Sequence, residues 1–267
     1  MDRYAVIGNP VGHSKSPRIH HAFAAQLGQD MSYSALRSPT NGFAEALSRF
    51  LRRGGRGVNV TVPFKQDALR AVDVTDALAT AAGAVNTIVV GPDRRLYGHN
   101  TDGLGLVRDL RANLGCELND ARVLVVGAGG AVRGILLPLL DAGAREIQIL
   151  NRTQANADAL VAAFARQEVR SFVTNSPPFD IVLNASSAGL TGSSLELPPA
   201  MVDPRTLAYD LSYGAAAQLF CQWARMRGAH AVHDGLGMLV EQAAEAFLLW
   251  RGLRPDTRPV IDQLRQA

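Results

Sequence analysis

Short apolar runs alternate with amphipathic stretches along this chain. In its N-terminal part, apolar runs or apolar–polar alternation predict strands at 4–8, 58–62 and 84–90. Apolar residues spaced three or four apart predict helices at 17–27, 42–54 and 65–72. This mixture of strands and helices predicts an α/β domain.

A second series of strands and helices follows. Residues 123–126 form a continuous apolar run that ends in a glycine-rich loop, which is typical of a buried parallel strand. Further strands are predicted at 146–150, 180–184 and 206–211, and helices at 154–166, 215–227 and 237–250. Pro138 lies inside the helix predicted after the loop and should kink it, because proline removes a backbone hydrogen bond. The alternation predicts a doubly wound parallel sheet of the Rossmann type.

The break between the two series follows Asp102. Gly103 and Gly105 lead from there through a helical run to a polar turn at 117–120. We place the domain hinge at this point. The chain has 267 residues, which is enough for two domains that each bury a core of their own.

Composition and charge limit the class of protein. Hydrophobic residues make up 47% of the chain and charged residues 19%, as in an ordinary globular protein. The 27 basic and 24 acidic residues are scattered, so we expect no nucleic acid as the main partner. A small positive excess still suits an anionic ligand such as a phosphate or carboxylate.

Cysteine and histidine give no sign of a metal or of a disulfide framework. Cys116 and Cys221 lie far apart, and the six histidines show neither metal-ligand spacing nor a Ser-His-Asp pattern. We therefore expect no metal site and a reducing, cytoplasmic setting. The N-terminus lacks the pattern of a signal peptide, and no uncharged apolar stretch is long enough to span a bilayer. No membrane partner is expected.

The glycine-rich loop is a candidate nucleotide site. It reads Gly127, Ala128, Gly129, Gly130 and Ala131 between a predicted strand and a predicted helix. Backbone amides in such a loop can approach a pyrophosphate at the positive helix N-terminus. Val132 stands where the dinucleotide fingerprint has its third glycine or alanine, so the alternative is a tight strand-to-helix turn.

The end of the next strand indicates which dinucleotide fits. The sequence there is Asn151, Arg152 and Thr153, without the carboxylate that NAD sites usually place at this point. Arg152 offers a planar fork for a phosphate, and its neighbours can donate further hydrogen bonds. We predict NADP over NAD. The alternative is that Thr153 caps the following helix and Arg152 is a solvated surface charge.

Several polar residues of the N-terminal part could bind a small ligand. Alternation along 58–62 puts Asn59 and Thr61 on one face, and Lys65 follows at the start of a helix, where a lysine can also be a surface residue. Ser14, Ser16, Asn86 and Asp102 complete this set, and Gln242 of the last predicted helix is a further candidate. Three of these five have a structural alternative. Ser16 before Pro17 suits an N-cap, Asp102 can cap a helix, and a buried Gln242 can be satisfied by protein groups.

Ordered blocks cover nearly the whole chain. They are residues 13–17 (HSKSP), 59–65 (NVTVPFK), 82–87 (AGAVNT), 100–103 (NTDG), 127–131 (GAGGA) and 151–153 (NRT), between the start at 4–10 and the segment 241–244. Together they resemble the shikimate dehydrogenase family. The segment 210–214 (DLSYG) departs from the usual family sequence, in which a longer bulky motif is common.

The resemblance implies an architecture and an activity. It implies an N-terminal α/β substrate-binding and catalytic domain (1–102), a Rossmann-like NADP-binding domain (103–236) and C-terminal helices (237–267) that return to the substrate domain, with a cleft between the domains. The implied reaction is reversible NADPH-dependent reduction of 3-dehydroshikimate to shikimate on the way to chorismate and the aromatic amino acids. A monomer or homodimer is expected.

The resemblance also assigns roles. It implies that Lys65 and Asp102 are the catalytic pair, and the proton could come from either, since such a pair can titrate as one unit. Ser14 and Ser16 would bind the substrate carboxylate, and Tyr213 would line that end. The substrate hydroxyls would be bound by Asn59, Thr61, Asn86, Asp102 and Gln242. NADP would be bound by the glycine loop, by 151–153, and by Gly235 and Met238.

Two other interpretations stay open. A dehydrogenase of the same family could also accept quinate and NAD, and only its substrate profile would tell. A ligand sensor could keep the fold without catalysis, since fold alone does not fix function. The presence of both Lys65 and Asp102 argues against the sensor.

Overall fold

A computed structural model describes residues 1–186 and 197–266 and divides the chain into two units. The N-terminal unit comprises Met1–Gly105 and Val240–Ala267, and the central unit comprises Leu106–Leu239. The functional domain bounds given above stay a prediction.

The N-terminal unit contains a mixed sheet. Its strands are β1 (Asp2–Gly8), β2 (Met31–Arg37), β3 (Gly55–Val60), β4 (Val74–Thr75), β5 (Thr87–Val90) and β6 (Leu96–His99). They lie in the order β2-β1-β3-β5-β6-β4. β1 is parallel to both its neighbours, whereas β5 is antiparallel to β3 and β6. The sheet therefore joins a βαβ-type half to a hairpin.

Helices cover this sheet and bury its core. They are α1 (Ser16–Gln26), α2 (Phe43–Arg52), α3 (Lys65–Ala71), α4 (Ala77–Ala82) and the start of α5 (Asp102–Arg108). Apolar side chains of β1 and β3, such as Ile7 and Val58, pack with Phe43, Phe50 and Phe64 in one buried cluster. The apolar positions recur with the helical and strand periods, which is why these segments bury one face each.

The central unit is a parallel sheet of the Rossmann type. Its strands are β7 (Arg122–Val126), β8 (Glu146–Leu150), β9 (Val169–Ser171), β10 (Ile181–Asn184), β11 (Leu207–Asp210) and β12 (Ala231–His233). The order is β12-β11-β10-β7-β8-β9, and every pairing is parallel. Read from β9, this is the 3-2-1-4-5-6 order of dinucleotide-binding sheets.

Apolar clusters line both faces of this sheet. The helices are α6 (Gly130–Asp141), α7 (Gln154–Phe164) and α8 (Gln218–Met226), with a π-helical turn at Asp109–Asn113 and 3-10 turns at Pro199–Met201 and Gly214–Ala217. Val123 and Val125 face one cluster and Leu124 and Val126 the other, as a parallel strand covered on both faces requires. The predicted α/β architecture with a Rossmann-like sheet is confirmed.

Two further helices end the chain. They are α9 (Leu236–Arg251) and α10 (Arg258–Arg265). In the N-terminal unit, Trp250 of α9 donates its indole N–H to the Ile88 carbonyl at 3.0 Å. A Cβ at Gly57 would lie 2.3 Å from the Trp250 Nε1 atom, so only glycine lets the helix approach β3 this closely.

Several predicted bounds are wrong. The strand predicted at 58–62 ends at Val60, because the chain turns at Thr61, whose carbonyl accepts from the Phe64 N–H. The strand predicted at 84–90 begins only at Thr87, after the α4 C-terminus at Gly83 (φ +61°). The strands β2, β4, β6, β9 and β12 were not predicted. Pro138 lies inside α6, as predicted; the kink stays a prediction.

Candidate active site

A lysine–carboxylate pair lies at the start of two helices of the N-terminal unit. Lys65 is the first residue of α3 and Asp102 the first of α5. The Lys65 ammonium donates to Asp102 Oδ2 at 2.5 Å, and the two side chains are 29% and 15% exposed. Backbone bonds hold the intervening segment in place, since the Val85 N–H donates to the Lys65 carbonyl at 2.9 Å. The pair is therefore fixed yet reachable by a small ligand.

Asn86 connects this pair to the buried side of the sheet. Its amide nitrogen donates to Asp102 Oδ1 at 2.8 Å and contacts the Thr101 hydroxyl at 3.0 Å. Its amide oxygen accepts from the Thr101 backbone N–H at 2.9 Å and from the Thr87 hydroxyl at 3.0 Å. Asp102 thus has one hydrogen-bond donor on each of its two oxygens, Lys65 on Oδ2 and Asn86 on Oδ1.

Asn59 lies deeper in the same network. Its amide oxygen accepts the Tyr33 hydroxyl at 2.7 Å, and its amide nitrogen donates to the Thr87 hydroxyl at 3.0 Å. Asn59 is buried, whereas Thr61 is half-buried at the turn that follows β3. Its nitrogen also donates to the Asn86 backbone carbonyl at 3.4 Å, so protein groups occupy three of the four hydrogen-bonding positions of Asn59.

The two serines stand at the start of α1. Ser16 is the first helical residue and is followed by Pro17, while Lys15 occupies the N-cap position, so the interpretation of Ser16 as an N-cap is wrong. The Ser14 hydroxyl accepts the Ser16 backbone N–H at 3.3 Å instead. Ser16 is buried and Ser14 half-buried. Both hydroxyls lie beside a helix N-terminus, which favours an anionic group.

Gln242 lies on α9 in the N-terminal unit. It is half-buried, and its side-chain oxygen is 3.5 Å from the Thr101 hydroxyl. A Cβ at Gly105 would lie 2.6 Å from the Gln242 backbone nitrogen, so glycine at this point lets α5 pack directly on α9. The close packing brings Gln242 to Thr101. The Thr101 backbone N–H donates to Asn86, the residue that donates to Asp102.

The glycine loop of the central unit has the shape that a pyrophosphate needs. Gly127 has φ +118°, and a Cβ there would press on the Ala185 carbonyl at 3.0 Å. A Cβ at Gly129 or Gly130 would meet nothing within 4 Å, so these backbones are open. Gly129 caps α6 without a side-chain hydrogen bond, and the first turn of the helix holds no acidic residue. The residues present therefore fit a dinucleotide phosphate.

The segment after β8 is exposed beyond Asn151. The Asn151 side chain donates to the Thr153 carbonyl at 2.9 Å, which orders the turn. Thr153 holds the N-cap position of α7, but its side chain makes no capping hydrogen bond, contrary to the alternative interpretation of this residue. Within residues 1–186 and 197–266, Arg152 has no carboxylate partner. Its guanidinium is available to a phosphate.

The start of α9 belongs to the central unit. A Cβ at Gly235 would lie 2.2 Å from the Leu211 carbonyl oxygen, so only glycine fits there. The Met238 backbone N–H donates to the Tyr209 hydroxyl at 3.1 Å, and Tyr209 in turn donates to Asp109 Oδ2 at 2.6 Å. Tyr213 is half-buried, and burial raises its pKa above the ordinary value.

Family models match three parts of the chain. Residues 6–88 match the shikimate dehydrogenase substrate binding domain, and residues 109–191 match the shikimate / quinate 5-dehydrogenase model. Residues 235–265 match the shikimate 5'-dehydrogenase C-terminal domain. A curated NADP(+) shikimate dehydrogenase of Hahella chejuensis is 50% identical over 270 residues, covering 100% of both chains. The chain belongs to the shikimate dehydrogenase family.

Solved structures agree with this membership. The Ael1 enzyme from Pseudomonas putida is 45% identical, covers 99% of this chain and 98% of its own, and superposes with a TM-score of 0.94. Shikimate 5-dehydrogenase from Thermus thermophilus, solved with NADP(H) and shikimate, is 34% identical with a TM-score of 0.85, covering 100% of this chain and 99% of its own. The resemblance drawn from the sequence blocks is confirmed.

Sequence reasoning missed three polar residues of this shikimate dehydrogenase family member. Tyr33, Thr87 and Thr101 are buried and hydrogen-bonded to the predicted site residues Asn59 and Asn86. Thr87 and Thr101 do stand inside the matching blocks, next to predicted residues, which was the available signal. Tyr33 lies on a strand that was not predicted at all.

Two further findings concern ligands and membranes. In the described ranges, no group of three or more histidine, cysteine, aspartate or glutamate side chains is placed to hold a metal ion. No described helix is both long and apolar enough to cross a membrane.

Proposed function

We propose that this chain catalyses the reversible NADPH-dependent reduction of 3-dehydroshikimate to shikimate. The observation that carries the proposal is the Lys65–Asp102 pair, held at 2.5 Å between two helix starts and surrounded by neutral donors. A polyhydroxylated acid needs several such donors and few charges. NADP is the cofactor that suits the glycine loop and Arg152. When bound, it would supply or accept the hydride.

The choice of lysine at position 65 fits acid–base work. The chain uses 25 arginines and only two lysines, Lys15 and Lys65. An arginine would supply a positive charge equally well, but its pKa above about 12 keeps it from releasing a proton. Lysine at the centre of this site, in a chain that otherwise uses arginine, therefore supports a role that needs an exchangeable proton.

We propose that Lys65 donates the proton that the ketone oxygen takes up during reduction. Reduction of a ketone creates negative charge on its oxygen, and an ammonium group can stabilise that charge and protonate it. Asp102 is held on both oxygens, by the Lys65 ammonium at Oδ2 and by the Asn86 amide at Oδ1, which suits an orienting role. In this proposal Asp102 orients Lys65 and accepts a hydrogen bond from a substrate hydroxyl.

The remaining polar residues are proposed to hold the substrate. Ser14 and Ser16 bind the carboxylate at the N-terminus of α1, where the helix dipole favours an anion. Asn59, Thr61, Asn86 and Gln242 bind hydroxyls, and Tyr213 lines the carboxylate end. Protein groups already occupy most of the hydrogen-bonding capacity of Asn59 and all of that of Asn86, so these two leave the least capacity for substrate hydroxyls.

Cofactor contacts are proposed for the loop 127–131, for 151–153, and for Gly235 and Met238. Support comes from the open backbones at Gly129 and Gly130 and from the unpartnered fork of Arg152. We further propose a cytoplasmic enzyme that is a monomer or homodimer, which size-exclusion chromatography with light scattering would test.

Substitution of the proposed acid tests the assignment. Lys65→Ala should lower kcat with shikimate by about two to four orders of magnitude, typical of a lost general acid, with little change in KM. The matched control is Gln66→Ala, an exposed neighbour on the same helical turn, which should leave kcat unchanged. A Lys65→Ala enzyme with near-normal turnover would sink the assignment.

A further inference from the structure

A continuous chain of hydrogen bonds runs from the interior of the N-terminal unit to the catalytic carboxylate. Its links are Tyr33 Oη to Asn59 Oδ1 at 2.7 Å, Asn59 Nδ2 to Thr87 Oγ1 at 3.0 Å, Thr87 Oγ1 to Asn86 Oδ1 at 3.0 Å, and Asn86 Nδ2 to Asp102 Oδ1 at 2.8 Å. The first four residues are nearly inaccessible, with Thr87 at 0% exposure.

The donor and acceptor of each hydrogen bond in this series follow from two groups in contact with Asn86 whose roles are fixed. The Thr101 backbone N–H can only donate, so the atom of Asn86 that it contacts is the oxygen. The Asp102 carboxylate can only accept, so the atom of Asn86 that faces it is the nitrogen. Because the Asn86 oxygen has no proton, the hydroxyl of Thr87 must donate to it.

The same reasoning continues inward. Thr87 has one proton, which it gives to Asn86, so it must accept from the nitrogen of Asn59. The oxygen of Asn59 then faces Tyr33, whose hydroxyl must donate. Burial raises the pKa of Tyr33 well above 10, so this phenol keeps its proton at every working pH. All four donors therefore point toward Asp102.

We propose that Tyr33 and Thr87 are positioning residues for the catalytic pair, acting through Asn59 and Asn86. Aligned donors polarise one another, so the chain strengthens the bond on Asp102 Oδ1 and leaves Oδ2 to Lys65. The hydroxyl of Thr87 is the central link, because it donates to the amide oxygen of Asn86 and accepts from the amide nitrogen of Asn59. This inference rests on the proposed function for its catalytic part and on the hydrogen bonds alone for the rest.

Thr87→Val keeps the shape of the side chain and removes the hydroxyl. We expect kcat/KM for shikimate to fall about tenfold or more, with kcat contributing, while KM for NADP stays within about twofold. Thr87→Ser restores the hydroxyl and should stay within about threefold of wild type. Thr87→Val with wild-type kinetics, or Thr87→Ser equally impaired, would overturn the proposal.

A matched control separates positioning from loss of a buried bond in general. Thr206 in the central unit is also 0% exposed, and its hydroxyl donates to the Phe179 carbonyl at 2.7 Å. Thr206→Val should lower Tm as much as Thr87→Val but leave kcat and KM for shikimate unchanged. Equal kinetic damage in both variants would contradict a positioning role. Tyr33→Phe removes only the innermost donor, so its kcat/KM for shikimate should fall between those of wild type and Thr87→Val.

A measurement on the free protein makes the test independent of activity. In wild type, the Asn59 side-chain NH2 protons should exchange slowly with solvent in NMR spectra, and in Thr87→Val about tenfold faster, with Thr87→Ser close to wild type. An unchanged exchange rate in Thr87→Val would refute the proposed series of hydrogen bonds. A wild-type protein that is inactive on shikimate would overturn the proposed function instead, and the exchange rates would still test the hydrogen bonds.

Discussion

His20 is a buried histidine among aromatic rings of the N-terminal unit. Its ring stacks on Tyr33, with centroids 4.2 Å apart and planes at 11°, and its exposed fraction is 0%. Burial lowers the pKa of His20 to about 3, outweighing the nearby Asn59 amide. The His20 ring is therefore neutral in the folded protein. Its stacking on Tyr33 fixes the tyrosine ring at the inner end of the hydrogen-bond series.

A pH dependence of stability follows from His20. The neutral ring favours the folded state, so its contribution is complete above the unfolded pKa of about 6.5 and is lost as pH falls toward 3. Between pH 7 and pH 5 the loss is about 2 kcal/mol, whatever the folded pKa below about 4. Urea titrations should show this decline in wild type and a shallower one in His20→Phe. His230→Gln, at an exposed histidine, should keep the wild-type slope; equal slopes in His20→Phe would contradict the account.

At the residue scale, the sequence predicted which residues belong to the candidate site better than it predicted their hydrogen-bond partners. Lys65, Asp102 and Asn86 were chosen from motifs, and the structure brings those three together. Tyr33 was missed, although Met31, Tyr33 and Ala35 alternate with two serines, and its partner Asn59 lies 26 residues away along the chain. Hydrogen bonds between distant residues depend on the topology of the sheet, which no local pattern encodes.

At the scale of elements, the turn after β8 is the segment that we propose selects NADP over NAD. Arg152→Ala should raise KM for NADP about tenfold or more and spare KM for NAD, because only the 2'-phosphate loses a charge-assisted bond. Steady-state kinetics with each cofactor would measure this. The control is Arg166→Ala, whose exposed guanidinium already pairs with Glu168 and should affect neither cofactor. Equal losses with NADP and NAD would refute the role of Arg152.

An ion pair fixes the C-terminal helices to each other. Arg254, between α9 and α10, donates to the buried carboxylate of Glu241 at 2.7 Å, and Thr257 donates to the same carboxylate at 2.6 Å. Arg254→Ala removes the positive charge that faces a buried negative one and should lower the free energy of unfolding by about 3 kcal/mol.

Urea denaturation measures this effect directly. The control is Arg258→Ala on α10, because its pair with Asp262 is 64% and 50% exposed and should contribute less than about 1 kcal/mol. Similar losses in the two variants would show that the buried pair does not hold the helices.

Long, strongly patterned elements were predicted well and short ones were not. The apolar run 123–126 lies within β7, and helix α1 lies within one residue of its predicted start. β4 has two residues and β12 three, too few to show a period. β2 lies at the edge of its sheet, and only Met31 and Tyr33 of its seven residues are buried.

For the whole molecule, two units with separate cores account for the sequence pattern. The alternation of strands and helices predicted the parallel sheet of the central unit, whose strand order places the glycine loop at the first βα turn. It did not predict the hairpin of β5 and β6, which carries Asn86 and Asp102 at its ends. That hairpin, and not a parallel crossover, brings Asp102 next to Lys65.

The most direct test is the initial rate of nicotinamide reduction by the purified chain, with shikimate or quinate crossed against NADP or NAD. The account predicts activity confined largely to shikimate with NADP. Comparable rates with quinate or NAD would contradict the assigned specificity and the role of Arg152. No activity in any combination, with shikimate still bound, would contradict catalysis itself and leave a sensor.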